Sequence, residues 1–198
     1  TPKTSSAASD VYKRQLLISR HDELTKDRRY VFRVYPDESS LAKTLVSAAE
    51  KRKLKRIAVL SPNSRSSELL VASLTKQTEG SDIAITQKLN YTRGNYGSME
   101  GAIKKLFQLD PTVRRAEYEQ LYWTAKAEAK QAGVPFIPRS VILPPVVDVD
   151  VVVIPDDFRT IRYFAKLFRY HGVEKLKVWG NHEWRSPALV DPYDSFLE

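Results

Sequence analysis

The run VVDVDVVVI, Val146 to Ile154, constrains this 198-residue chain more than any other stretch. β-Branched side chains fit a pleated strand and crowd a helix. The run is also too short for a core helix and far short of the roughly 20 apolar residues that cross a bilayer. A buried strand is therefore expected over Val147 to Ile154, and no membrane span. Asp148 and Asp150, which alternate with the valines, read as markers of the strand entrance or, alternatively, as groups lining a site.

Upstream and downstream of this run, strand-like and helix-like segments take turns. Ser39 and Ser40 are positioned to cap a helix carrying Leu41, Leu45, Val46 and Ala49 at helical spacing, which ends in the basic KRKLK. Arg56 to Leu60 is a short apolar strand, SPNSRSS a turn, and Leu69, Leu70, Ala72 and Leu74 mark a second helix. Ile83 to Leu89 follows as a strand, and a third helix begins near Met99 and stops at Asp110-Pro111. Thr112 is expected to cap a fourth helix to about Ala132, with Tyr118, Tyr122 and Ala125 along one face that packs against the sheet or, alternatively, forms a partner surface on an extra helix. Phe136 to Val147 carries three prolines and should run extended and exposed. DDFRT then opens a helix with Ile161, Phe164, Ala165 and Phe168 on one side, and Lys175 to Trp179 is a last strand. Strands separated by helices, with no hairpin, imply crossover connections: an α/β fold with a parallel sheet and helices on both faces.

In such folds ligands meet the loops that leave the C-terminal ends of the strands. Those are Ser61 to Ser67, Asn90 to Ser98, Pro155 to Thr160 and Gly180 to Pro187. Asp156 and Asp157 have the chemistry to hold a cation, an ammonium group or a metal; a carboxylate at a helix start serves equally well as a cap. Tyr91, Tyr96, Phe158, Trp179 and Trp184 lie in or beside these loops, where Phe158 and Trp184 are the contact candidates and Trp179 the core one. His182 stands beside Glu183, but His21 and His171 are distant and no HExxH-like spacing exists, so no metal site is expected. Neither GxSxG, GxxxxGK[ST] nor GxGxxG occurs, and the serines of NSRSS have no evident base. An enzyme is not expected, nor any cofactor. With no cysteine there are no disulfides and no thiolate chemistry.

The formal charge of +8 raises nucleic acid as a partner. Its cations are scattered over helix faces among acids, without a recognition module, and nucleic acid is not expected. Part of the excess is expected to be foreign to the fold. Ser5 to Gln15 can be back-translated to a sequence that resembles a transposase-type sequencing adapter read in frame, so Thr1 to Gln15 is expected to be a non-native, disordered assembly artefact, the alternative being a natural disordered arm. Lys3, Lys13 and Arg14 against Asp10 supply +2 of the +8, leaving +6. The chain is expected to be a fragment, with the signal region missing and the C-terminal side incomplete after DPYDSFLE.

The stretch YVFRVYPDESSLAKTLVSAAEKRKLKRIAVLSPNS, followed by DVDVVVIPDDFRTIRYFAKLFRYHGVEKLKVWGNHEWRSPALV, resembles the type I periplasmic-binding-protein superfamily, in particular its leucine/isoleucine/valine-binding-like branch. The likeness extends over nearly everything from Leu16 onward. It implies two α/β lobes that close on a solute, with residues 16–36 as the end of the first lobe and the hinge crossing, and residues 37–198 as most of the second. By position it implies ligand contacts from Ser64 and Arg65, where amino-acid binders often place an aromatic. It also implies contacts from Asp156, Asp157 and Phe158, and from Asn181, His182, Glu183 and Trp184. Near His182 relatives commonly hold an acid that pairs with a ligand ammonium, and Glu183 is the available substitute.

Asp110 to Pro145, a helix plus a proline-rich arm, is an insertion that simple solute receptors do not usually carry. It looks like the branch of penicillin-binding-protein activators. The resemblance implies a non-enzymatic receptor for a small polar solute, such as an amino acid, working with a membrane transporter. The alternative it implies is an interaction module for a cell-wall synthase. The location implied is the periplasm, or the outer membrane as a lipoprotein, of a bacterium.

Overall fold

The computed structural model describes residues 15–17, 31–33, 37–173, 176–186 and 189. Two short strands, β1 (Gln15–Leu17) and β2 (Val31–Arg33), pair in parallel with Gln15 opposite Val31. The main body contains α1 (Glu38–Lys51), β3 (Arg56–Pro62), α2 (Arg65–Thr78), β4 (Ala84–Tyr91) and α3 (Tyr96–Leu106). It continues with α4 (Arg115–Gln131), β5 (Val151–Val153), α5 (Phe158–Tyr170) and β6 (Lys177–Trp179). A parallel four-stranded sheet runs in the order β4-β3-β5-β6. The expected α/β architecture is thus present.

Strand alternation divides the core in two. Ile57, Val59, Val151 and Val153 face α1 and α2, where they meet Leu45, Val46, Leu70 and Leu74. Ala58, Leu60, Val152 and Ile154 face α3 and α5, where they meet Ile103, Leu106, Phe164 and Phe168. Each of the fully buried large side chains contributes about 1.5–3 kcal/mol of transfer free energy. One extra residue, Thr86, interrupts the β3–β4 register between Ile57 and Ala58. With a side-chain period of two, this bulge exchanges faces: Ile85 packs with the first set, Leu89 and Tyr91 with the second.

Helix ends follow local chemistry. The α1 cap is Asp37, whose carboxylate accepts the Ser40 amide at 2.8 Å; Ser39 and Ser40, the expected caps, lie inside the helix. α5 closes on Gly172 at φ +68°, with Gly172 N–H to the Arg169 carbonyl and Val173 N–H to that of Phe168. That left-handed turn buries Val173 beside the helix it ends.

β5 is shorter than the expected Val147 to Ile154. Ahead of it the Asp150 carboxylate accepts the amides of Lys55 and Arg56 at 2.8 and 2.9 Å, and the Arg56 guanidinium pairs with Asp148 and Asp150. The two acids belong to the strand entrance. Hydrogen bonds from the Arg56 and Lys55 amides hold the Asp150 carboxyl below the usual carboxylate range.

The insertion departs most from expectation. Thr112 bonds back to Asp110 and does not cap α4, which has no side-chain cap. α4 carries no buried residue, so it does not pack against the sheet. Tyr118 and Tyr122 lean toward the returning arm, where the Phe136 ring meets Tyr122 edge-on at 4.9 Å. Arg114 ties both ends together by donating to the carbonyls of Gln108 and Pro144 at 3.0 and 2.7 Å. The arm is not wholly exposed, because Leu143 is buried. Glu174, Lys175 and the end of the chain after Leu189 lie outside the described residues.

Candidate functional site

β3 has β4 on one side and β5 on the other, and the helices that follow β3 and β5 lie on opposite faces of the sheet. Connections diverging from neighbouring strands leave a crevice beyond their C-terminal ends. A cleft of about 270 Å³ opens there. Its lining includes Asp37 and Glu38 from the start of α1, Ser64, Ser66 and Ser67 from the start of α2, Arg93 after β4, and Pro155 after β5. Asn181, His182 and Glu183 complete it from the turn after β6. A wider groove of about 650 Å³ runs along the β4 edge past Thr75, Lys76 and Lys88, but it draws on fewer strand ends.

Local bonds hold these groups in place. Ser64 caps α2, its hydroxyl 3.3 Å from the Ser67 amide and 2.9 Å from the Ser67 hydroxyl. The Ser66 hydroxyl donates to Glu38, joining the two helix starts. Asn181 turns its side-chain oxygen to the Glu183 amide at 3.0 Å, folding His182–Trp184 into a single 3-10 turn.

Beneath the cleft lies Asp156, 0% exposed. Its carboxylate accepts the Tyr91 hydroxyl at 2.6 Å, the Asp157 amide at 2.7 Å and Nη2 of Arg93 at 2.5 Å. These three donors offset the cost of burying the charge. The hydrogen bond from Arg93 to Asp156 raises the Arg93 pKa further, and burial, then the hydrogen bond that the Tyr91 hydroxyl donates to Asp156, pushes the Tyr91 phenol well above the ordinary tyrosine value. Asp157 is the α5 cap, accepting the Thr160 amide at 2.9 Å. Burial works against its charge, but the Thr160 and Arg159 hydrogen bonds and the Arg93 charge outweigh this and hold its pKa below the usual range.

Of the nine site residues proposed from sequence, the structure gathers Ser64, Asn181, His182 and Glu183 on the cleft wall. Asp156 and Asp157 sit behind it, engaged by protein groups. Arg65 is exposed at the first position of α2. Phe158 starts α5 with the Arg159 guanidinium 5.5 Å above its ring. Trp184 turns inward, donating Nε1–H to the Ile154 carbonyl at 3.2 Å and packing on the core. Tyr91, singled out as a loop aromatic, is fully buried edge-on to Phe164. Sequence reasoning missed Arg93, Asp37 and Glu38. A cation two residues past the end of an edge strand, and acids at the mouth of the first helix, were the available signals.

The wall thus presents hydroxyls, an amide, carboxylates and one guanidinium to a small volume. That is a lining for binding a polar molecule of mixed charge. Among the described residues no group of His, Asp and Glu is placed to hold a metal ion.

No family model and no curated protein matches the sequence. Among solved structures, the chain is similar to an ABC transporter substrate-binding protein from Desulfitobacterium hafniense, with TM-score 0.52 and 16% identity over 90% of this chain and 43% of that one. It is similar to the same organism's substrate-binding protein in complex with Leu, at TM-score 0.51, again with 16% identity, 90% of this chain and 43% of that one. The chain therefore spans less than half the length of the structures it matches, and what it carries is part of the type I periplasmic-binding-protein fold.

Proposed function

We propose that this chain is one lobe of a non-enzymatic extracytoplasmic receptor that binds a small polar solute, of the amino-acid class, and presents it to a membrane transporter. The observation that carries this reading is the convergence of Ser64, Arg93, Asn181 and Glu183 on one cleft at the strand ends. Residues 37–198 serve as the second lobe, and residues 16–36 belong to the crossing from the first. Closure of two lobes about a hinge then couples occupancy to recognition by the transporter. A leucine complex of a structural neighbour supports the solute class without transferring the solute. The described residues include no helix long and apolar enough to cross a membrane.

Calorimetry on the gene product carrying both lobes, against amino acids and small peptides, tests the proposal. Saturable heat with at least one solute is expected. No heat and no thermal shift across the panel would sink it.

A further inference from the structure

Among the described residues, ten large hydrophobic side chains are exposed, and six of them fall between Val113 and Val147. A solvated helix with no buried residue has no packing reason to keep a tryptophan, yet Trp123 on α4 is 61% exposed. The arm that follows adds Val134 at 55% and Ile137 at 60%. Isolated apolar residues on a surface need no explanation; a concentration of them does.

Backbone and ring contacts fold the arm back along α4. Gly133, at φ +66°, turns the chain back along α4, and Val134 N–H closes on the Ala129 carbonyl at 3.0 Å. Phe136 then stacks edge-on against Tyr122, and the Trp123 ring lies 5.5 Å from that same Tyr122 ring. Trp123 and Ile137 are thereby the sequence neighbours of one ring pair. Pro135 and Pro138 stiffen the tip, and the Ser140 hydroxyl fixes its turn on the Ile137 carbonyl at 2.7 Å.

Charge identifies the surface that this tip fits. Lys126 places its ammonium 4.9 Å from the Trp123 ring, with Lys130 one turn further and Arg139 on the arm. Between Glu128 and Asp148 the sequence has no carboxylate. Of the α4 acids, Glu117 is held by Arg114 and Glu119 by Arg115, leaving Glu128 between the two lysines. An amphipathic ring and short apolar side chains beside cations match the boundary between headgroups and acyl chains of an anionic bilayer.

We propose that the tip of the insertion, Trp123 with Val134–Ile137 and the cations Lys126, Lys130 and Arg139, docks peripherally on an anionic lipid surface. The hydrophobic residues enter the interface, and the three cations lie among the headgroups. This surface is independent of the solute cleft and requires no membrane span.

Co-sedimentation of the full chain with phosphatidylcholine vesicles, and with vesicles in which about two fifths of the lipid is phosphatidylglycerol, tests it. Binding is expected to the anionic vesicles only, weakened by salt and accompanied by a blue shift of tryptophan emission. Replacing Lys126, Lys130 and Arg139 by Gln should weaken binding by roughly a hundredfold, at about tenfold or less per cation. Trp123→Ser with Ile137→Ser should remove the blue shift while the melting temperature stays unchanged, because both residues are exposed. Equal binding to neutral vesicles, no vesicle binding at low salt, or variants that bind like the parent would overturn the proposal. So would a protein partner or a second copy captured through Trp123 by a chain that ignores vesicles.

Discussion

The Arg93 guanidinium stands 2.5 Å from the Asp156 carboxylate, an ion pair with one partner 56% exposed at the cleft and the other fully buried. Arg93→Met leaves a buried carboxylate with only the Tyr91 hydroxyl and the Asp157 amide. The expected loss is about 2 kcal/mol, below that of a wholly buried pair because water reaches the vacated side. Arg93→Met combined with Asp156→Asn should recover part of that loss, since the uncompensated charge is gone. Urea denaturation of the four proteins checks this; additive losses would contradict it.

Tyr91 shares that carboxylate, and its phenol is held protonated by burial and by Asp156. A group whose folded pKa lies above its unfolded value stabilises the fold fully below the unfolded value, about pH 10 for tyrosine, and loses that contribution as pH rises further. The unfolding free energy should therefore fall above about pH 10, less steeply in Tyr91→Phe. Chemical denaturation between neutral pH and pH 11 measures the difference.

Gly180 lies under the Trp184 indole, where a Cβ would come within 1.9 Å of the ring. Gly180→Ala forces the indole off the Ile154 carbonyl and out of its seat on the core. The expected loss is about 1–3 kcal/mol, with a red shift in tryptophan emission. Gly180→Ala in a Trp184→Ala background should cost little further, because the clash has been removed.

His171 is buried with neither ring nitrogen bonded to any described group, and burial lowers its pKa, aided by Lys104 and opposed by Glu100. The unfolded chain then binds the proton more readily than the folded one. Stability is full above the unfolded value, about pH 6.5, and falls as pH drops toward the folded one. His171→Leu should raise stability by about 1 kcal/mol at neutral pH and flatten that acid limb. Thermal melts at pH 5 and pH 7.5 distinguish the two proteins.

The sheet and most helix faces were legible because their signals are local. Four apolar residues ending at Ile154 can only be a buried strand, and Ile161, Phe164, Ala165 and Phe168 recur at helical spacing. α4 misled because Tyr118, Tyr122 and Ala125 form a credible packing stripe whose partner, Phe136, comes from its own returning arm. Cap identity shifted by two residues at α1, since Asp37, Ser39 and Ser40 all suit the role and only backbone geometry chooses among them. At the site, loop placement followed from topology, and Ser64, Asn181, His182 and Glu183 were named accordingly. Side-chain direction did not follow: Asp156 and Trp184 turn inward, and Arg93 enters the cleft from a loop whose tyrosines drew attention first.

The most direct test of the binding cleft is a titration of the ¹⁵N-labelled chain with single solutes, leucine among them, followed by amide NMR. A binding lobe should show concentration-dependent shifts at Ser64, Ser66, Ser67, Arg93, Asn181 and Glu183, for one solute class above the rest. Shifts confined to the β4 edge around Lys76 and Lys88, or none at the cleft amides with any solute, would contradict it.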